Sequence, residues 1–160
     1  MNKTIILAIF LVIASNISTV SAWDWITHDE IAESNYYSLP EDMQHNLNLD
    51  LIKKGSISPD FIFLDFKYHS YPNSYGKAIY WLNKGQSYYK KGDFYYASYC
   101  YGVSSHYITD SFSAPHAAGM TGVQHLIYET KASFLKPEVV DVTGSLNSTM
   151  YKGDLNGTKN

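Results

Sequence analysis

The chain has 160 residues, enough for one domain with a core of its own. Its formal net charge of −3 at pH 7 is mild and argues against strong electrostatic attraction to nucleic acid. Every basic residue other than histidine is a lysine, which excludes a bidentate arginine clamp on a phosphate group. Cys100 is the only cysteine, so no internal disulfide can form.

The first 22 residues have the pattern of a secretory signal peptide. Lys3 precedes an unbroken apolar run over residues 5–13, and residues 20–22, Val-Ser-Ala, form a small-residue cleavage site. A retained anchor or a buried helix is the alternative, but the apolar run is too short to cross a bilayer. We therefore predict a secreted protein whose mature chain begins at Trp23 and carries no transmembrane anchor. A small exported domain without disulfides needs another stabilising device, and a bound metal is one.

The remaining sequence predicts an all-α helical bundle over residues 23–136, because no strong alternating strand pattern is present. A capping box begins a first helix near His28, and Pro40 begins a second that ends at Gly55. Residues 56–75 are predicted to be mostly a functional loop. The predicted helices are 28–38, 40–55, 76–91, 93–110 and 124–134, and residues 137–160 are predicted to be a polar, flexible tail.

The helix predicted over 93–110 is the centre of this bundle. Asp93 can cap its first turn, and it forms an antiparallel hairpin with the helix before it. Apolar and aromatic side chains cover most of its circumference, which is typical of a buried helix. Gly102 lies one turn before His106 on the same side and leaves room for the backbone of a neighbouring helix.

The densest group of possible metal ligands lies at the end of this helix. His106 and Asp110 are four residues apart, so their side chains lie on one face. Pro115 disfavours helix at Ala114, so the chain is predicted to turn there and to bring His116 back towards that face.

A second imidazole–carboxylate pair follows at the same spacing, at His125 and Glu129. Zinc binds imidazole nitrogen and carboxylate oxygen, and it needs several such ligands that converge from rigid elements. The sequence therefore predicts a zinc cluster between helices.

The central motif is His106, three residues, Asp110, five residues and His116, with a proline just before the last histidine. It resembles the motif of the zinc-dependent phospholipase C family, which shares a superfamily with single-strand-specific secreted nucleases. The similarity extends upstream over residues 78–94 and downstream over 125–129, and it covers most of the chain between Trp23 and Phe134. The resemblance implies an all-α fold that hydrolyses phosphate esters. Family members continue well beyond the last ligand, so it also implies that the C-terminal part of the family fold is missing here.

The resemblance implies three zinc ions, one of which depends on the processed terminus. A peptide nitrogen cannot serve as an amine ligand, so cleavage after Ala22 is needed to free the amino group of Trp23. Asp110 would bridge two of the ions. The implied ligands are Asp60, His69, His106 and Asp110 for the first ion, His116, His125 and Glu129 for the second, and Trp23, His28 and Asp110 for the third.

Several roles stay open at this stage. By resemblance Asp60 is the candidate general base as well as a ligand, and a ligand without a base role is an equal alternative. Asp65 is an alternative to Asp60 as the ligand before His69. Phe61 and Phe66 occupy places where bacterial phospholipases of the family have choline-pocket aromatics; plain hydrophobic packing is the alternative.

The expected function is that of a secreted, monomeric phospholipase C that acts on phospholipids at a membrane or micelle surface. No specific nucleic acid is expected as a partner. One alternative is a nuclease of the same superfamily, which the five-residue spacing from Trp23 to His28 favours. The pair His125 and Glu129 and the absence of disulfides favour lipid instead. A shortened, non-catalytic zinc-binding domain is the other alternative.

Overall fold

The computed structural model describes residues 25–120, 122–132 and 144–157; the predicted signal peptide therefore lies outside the described residues. Within these ranges the chain forms helices and no strand, which confirms the all-α prediction. A π-helical turn, Pro59–Phe63, and a 3-10 turn, Phe66–Tyr68, separate α3 from α4. The α-helices are α1 (Trp25–Ser38), α2 (Glu41–Asn46), α3 (Leu49–Ser58), α4 (Asn73–Lys90), α5 (Phe94–Asp110), α6 (Ala114–Ala117), α7 (Val123–Ala132) and α8 (Leu146–Gly157).

Helix α5 is the centre of the bundle, as its apolar circumference predicts. It contributes Ala97 to one core cluster and Val103 and Tyr107 to a second, and all three side chains are fully buried. The predicted cap is confirmed, since the Asp93 carboxylate accepts a hydrogen bond of 3.2 Å from the backbone N–H of Tyr96. The helix packs mainly against α4 and α3.

The contact between α3 and α5 is a close backbone approach through two glycines. A Cβ atom added at Gly102 would meet the carbonyl oxygen of Ile52 and would lie 3.0 Å from the Cα atom of Gly55. A Cβ atom at Gly55 would in turn meet the carbonyl oxygen of Tyr99 and lie 2.9 Å from the nitrogen of Val103. The prediction that Gly102 makes room for a neighbouring backbone is confirmed.

The prediction of a loop over residues 56–75 is wrong at both of its ends. Helix α3 continues to Ser58 and runs directly into the π-helical turn, and α4 already begins at Asn73. Gly55 does not end the helix as a cap, because it is used for the close approach to α5. Pro59 lies in the right-handed helical region, with φ −57° and ψ −38°, so it is compatible with continued helix.

The helix predicted over 40–55 is divided in two. Leu47 adopts an extended conformation, with φ −93° and ψ 152°, and this ends α2. The side chain of Asn48 then caps α3 by accepting a hydrogen bond of 3.0 Å from the backbone N–H of Leu51. Because asparagine offers this alternative bond to the backbone, it favours a helix start over a helix interior.

The turn predicted at Ala114 lies earlier in the chain. Residues 111–112 form the turn, Ser113 is extended, and Ala114 is the first residue of α6. Pro115 lies in the first turn of α6, where its missing N–H would have had no partner within the helix. The restriction on the residue before proline therefore does not prevent a helix from starting there.

Residues Leu146–Gly157 form helix α8, so the prediction of a flexible tail does not hold for this segment. Met150 is fully buried and packs in the core cluster that contains Tyr107. Gly153 lies against the ring of Phe112, and Gly157 lies against Ala117 in α6. The polar composition hides this contact, because Met150, Gly153 and Gly157 have helical spacing and share one face.

The glycine contact can be tested with a matched pair of substitutions. We expect Gly102→Ala to lower the free energy of unfolding by about 2–3 kcal/mol, because the added methyl group must displace backbone atoms of α3. Gly76→Ala is the control: Gly76 is also helical, but nothing lies within 4 Å of an added Cβ atom. That change should raise stability by about 0.5 kcal/mol through helix propensity. Urea unfolding measures the free energy of unfolding of both variants. An equal change in the two variants would contradict the close approach of α3 and α5.

Candidate metal centre

Five segments of the chain bring possible metal ligands to one buried place. Helix α1 supplies His28, the π-helical turn supplies Asp60, and His69 follows the 3-10 turn. The end of α5 supplies two more, and α6 supplies another. The side chains are at least 90% shielded from solvent; they are those of His28, Asp60, His69, His106, Asp110 and His116.

The carboxylate of Asp110 lies at the centre of this group. Its Oδ2 atom is 3.0 Å from Nδ1 of His69 and 3.1 Å from Nε2 of His106. Its Oδ1 atom is 3.4 Å from Nε2 of His28 and 3.9 Å from Nε2 of His116. The two oxygens of one carboxylate therefore face two different sets of imidazoles, which is the arrangement of a carboxylate that bridges two cations.

Asp60 completes the set on the Oδ2 side of Asp110. Its Oδ1 atom is 3.5 Å from Nδ1 of His69 and 3.8 Å from Nε2 of His106. Ligands about 2.1 Å from a tetrahedral zinc ion lie about 3.4 Å from one another. The observed separations match that spacing, so the geometry of the donors fits zinc.

Three overlapping groups of donor atoms have all their members within 4.8 Å of one another. One group consists of His28, His106 and Asp110. Another consists of Asp60, His69 and His106, and the third consists of His69, Asp110 and His116. The overlap means that these residues form one extended centre.

Hydrogen bonds on the far side of two rings hold them in place. Nδ1 of His106 lies 2.7 Å from the backbone carbonyl oxygen of Ser56, to which it donates, so Nε2 is left facing Asp110. Nδ1 of His28 lies 3.3 Å from the hydroxyl oxygen of Thr109, which leaves its Nε2 atom facing the same carboxylate. Partners of this kind orient the imidazole ligands of metal sites.

Several buried polar atoms of the centre lack a hydrogen-bond partner among the residues that the structure describes. Nε2 of His28, His106 and His116, and both carboxylate oxygens of Asp110, make no hydrogen bond with the residues that the structure describes. Each such buried polar atom costs about 1–3 kcal/mol when nothing compensates it. A bound metal ion would compensate all of them together.

The protonation of the centre also suits a metal. Burial lowers the pKa of His28 and of His116 to about 4, so both rings are neutral at pH 7. Burial alone would raise the pKa of Asp110, but the His106 and His116 imidazoles outweigh it and hold that pKa well below its usual range. For His106, burial lowers the pKa and the Asp110 charge more than offsets it, so the pKa is raised. Metals bind neutral imidazole and ionised carboxylate, so His28, His116 and Asp110 have the form that a metal needs. At His106 a metal would have to displace the proton.

The second predicted ligand set is described only in part. His125 is buried in α7, and its ring centroid lies 5.2 Å from that of His116. Nδ1 of His125 lies 3.2 Å from the backbone carbonyl oxygen of Met120. The backbone of Glu129 belongs to α7, but its side chain lies outside the described residues, as does the whole of Trp23.

A family model described as zinc-dependent phospholipase C matches residues 22–156. The chain belongs to the zinc-dependent phospholipase C family. No curated protein and no solved structure matches it. The match covers α8 as far as residue 156, so the family region extends beyond residue 136, the predicted end of the domain. In the described part of this family member, no helix is long and apolar enough to cross a membrane.

The family and the geometry together make this chain a zinc-dependent phospholipase C-type hydrolase. Within this hydrolase, Asp65 is engaged elsewhere. Its carboxylate accepts hydrogen bonds from the hydroxyl of Tyr107, at 3.0 and 2.8 Å, and from the ammonium group of Lys77, at 2.8 Å. Its nearest approach to His69 is 3.8 Å. Asp60 is less exposed and reaches two imidazoles, so the geometry favours Asp60 over Asp65 as the ligand.

Tyr107 and Lys77 contact Asp65 beside the centre, and the sequence patterns do not identify this contact. Burial, followed by the hydrogen bond to Asp65, raises the pKa of Tyr107, so its hydroxyl stays a donor. Tyr107 also places its ring edge-on to His69 and to His106, with centroids 6.2 and 5.4 Å away. The position of Tyr107 next to His106 in the sequence is the one signal of its role; nothing in the spacing identifies Lys77.

Phe61 and Phe66 lie at the rim of the centre and are about half exposed, at 50% and 51%. The ring of Phe66 is tilted against that of His69, with centroids 5.7 Å apart. Side chains this exposed are not core packing, so the geometry leaves both available for contact with a substrate.

The lowered pKa values predict how the metal-free protein responds to acid. The pKa of His28 and of His116 falls from 6.5 to about 4 on folding. Between these values His28 and His116 bind more protons in the unfolded chain, so their contribution to the free energy of unfolding should fall as the pH falls from 6.5 to about 4. Urea unfolding of the protein in a chelator measures this slope. His28→Gln should reduce the slope, and a slope unchanged by that substitution would contradict the burial of His28.

Proposed function

We propose that this protein is a secreted phospholipase C that binds three zinc ions and cleaves phospholipids into diacylglycerol and a phosphorylated headgroup. The observation that carries the proposal is the Asp110 carboxylate, whose two oxygens face different imidazole sets. A shared carboxylate of this kind supports neighbouring cations, and neighbouring cations are suited to phosphate ester hydrolysis. The family supports the phospholipid as substrate.

Each zinc ion has its own proposed ligands in this chain. The separations around Oδ2 of Asp110 support the first site, and the approach of His28 to Oδ1 supports the third. The approach of the His125 ring to His116 supports the second. The proposed ligands are Asp60, His69, His106 and Asp110 for the first ion, His116, His125 and Glu129 for the second, and Trp23, His28 and Asp110 for the third.

Zinc lowers the pKa of bound water from ~15.7 towards ~7 and attracts charge from phosphoryl oxygens. The residues of the chain then have three tasks. Asp110 would fix the relative position of the two cations that it is proposed to bridge, and His106 is held in its tautomer by the Ser56 carbonyl. Asp60, which approaches both His69 and His106, is the proposed acceptor of the proton from the attacking water. A bond from the water oxygen to phosphorus forms, and the bond from phosphorus to the glycerol oxygen breaks. That oxygen takes up a proton from the surrounding water, so the net reaction adds one water across the ester bond.

A nuclease of the same superfamily is the second candidate function. The spacing of five residues from Trp23 to His28 favours it. The absence of arginine and the net charge of −3 weigh against binding a polyanion. The half-exposed rings of Phe61 and Phe66 fit either a quaternary ammonium headgroup or a stacked base.

Two substrates distinguish these functions. The zinc-loaded mature protein should hydrolyse phosphatidylcholine micelles and should release diacylglycerol, and it should leave single-stranded DNA intact. DNA cleavage without lipid cleavage would establish the nuclease instead. A zinc-loaded protein that turns over neither substrate, nor a generic phosphodiester, would be a non-catalytic zinc-binding domain.

The bridging role predicts an unequal loss of zinc. We expect Asp110→Asn to lose two ions, because an amide offers one neutral oxygen in place of two charged ones. An additional alanine before Trp23 should remove only the third ion, since it displaces the terminal amino group. Elemental analysis of the purified proteins measures both, and exposed His45→Gln is the control that should keep every ion. Full zinc content in Asp110→Asn would contradict the bridge.

A further inference from the structure

A short apolar segment is exposed beside the candidate metal centre. We call residues 61–67 the rim loop; it spans the end of the π-helical turn and the start of the 3-10 turn. Phe61, Ile62, Leu64 and Phe66 are exposed by 50%, 58%, 63% and 51%. Single exposed apolar residues are ordinary, but a group of four within six positions marks a surface that contacts something apolar.

The rim loop is held in this arrangement by its own contacts. Between the exposed residues, Phe63 points inward and stacks on Trp81 in α4, with ring centroids 5.6 Å apart and planes within 8°. Leu64 has the left-handed conformation, with φ 51°, which is uncommon for a residue with a Cβ atom. The backbone N–H of Asp65 donates to the carbonyl oxygen of Pro59 across the turn (3.4 Å). The exposure of Ile62 and Leu64 is therefore imposed by the backbone.

The charges around the rim loop suit a phospholipid surface. Asp65 is its one acidic residue, and the carboxylate is compensated by Lys77 and Tyr107. Lys67 is exposed, and its ammonium group lies 4.8 Å from the ring centroid of Tyr68. This pattern matches the surface of a bilayer. The apolar side chains would enter the boundary of the acyl chains, and the lysine would contact the phosphate groups.

The rim loop is also continuous with the metal centre. Asp60 directly precedes it, and Phe66 at its end lies 5.7 Å from the ring of His69. A lipid surface in contact with Ile62 and Leu64 would thus place phosphate groups next to the proposed ligands. We propose that the rim loop, through Ile62 and Leu64, docks the protein on a phospholipid bilayer. This inference rests on the proposed function for its choice of partner.

The test removes the two aliphatic side chains and leaves the proposed substrate contacts Phe61 and Phe66 unchanged. The variant Ile62→Ser/Leu64→Ser should co-float with phosphatidylcholine vesicles about tenfold more weakly than the wild type, because two partly buried aliphatic contacts are lost. Its rate on the same vesicles should fall by a similar factor. Its rate on monomeric dihexanoyl phosphatidylcholine, below the micelle concentration, should stay within about twofold of wild type, because no surface is involved. Zinc content should not change.

The control variant is Tyr95→Ser/Tyr96→Ser. These side chains are exposed to a similar extent, at 61% and 54%, but they lie at the far end of α5. The fifteen positions to Asp110 correspond to about 22 Å along the helix. This variant should keep vesicle binding and both rates.

The outcomes separate the docking proposal from the proposed function. Unchanged vesicle binding in the rim-loop variant would overturn the docking proposal, and so would an equal loss of activity on vesicles and on the monomeric lipid. Self-association of the wild type that the variant abolishes, without vesicle binding, would assign the surface to a second copy of the chain. Vesicle binding that depends on Ile62 and Leu64, in a protein that hydrolyses neither lipid, would support docking and refute the phospholipase activity.

Discussion

The buried carboxylate of Asp110 is the constraint on which the described part of this protein depends. A charge removed from water costs several kcal/mol unless it is paired well. Four imidazole nitrogens lie between 3.0 and 3.9 Å from its two oxygens, but two of these rings have pKa values near 4 and stay neutral at pH 7. These two imidazoles add no positive charge beside the buried anion, and the zinc on which the family depends would supply it. Metal binding and folding are coupled in such a centre.

The packing of two helices sets the chemistry of this centre. Because Gly55 and Gly102 carry no side chain, α3 lies close enough to α5 for the Ser56 carbonyl to reach Nδ1 of His106. That bond leaves the other nitrogen of His106 directed at Asp110. A methyl group at either glycine would separate the backbones and would release the ring as well as weaken the bundle. Stability and ligand orientation thus depend on one contact.

Local patterns predicted those parts of the molecule that local physics decides. The four-residue spacing of His106 and Asp110 placed both on one face of α5, the Asp93 cap was predicted with its helix, and Gly102 was predicted to admit a backbone. Features that depend on distant partners were not predictable in this way. Gly55 has the sequence context of a helix end, and only its neighbour in α5 makes it a packing residue. The contact of Asp65 with Lys77 and Tyr107 joins three elements, so no spacing identifies it.

The polar composition of residues 146–157 did not predict helix α8. The contacts of α8 have a consequence for the metal centre. Gly157 rests on Ala117 and Gly153 on Phe112, so this polar segment touches both α6, which carries His116, and the turn just before it. The placement of one imidazole thereby draws support from residues about forty positions later in the chain. Substitution of Gly153 or Gly157 would therefore displace α6. We expect it to misalign the His116 imidazole before it unfolds the domain, although the composition of this segment gives no sign of such a role.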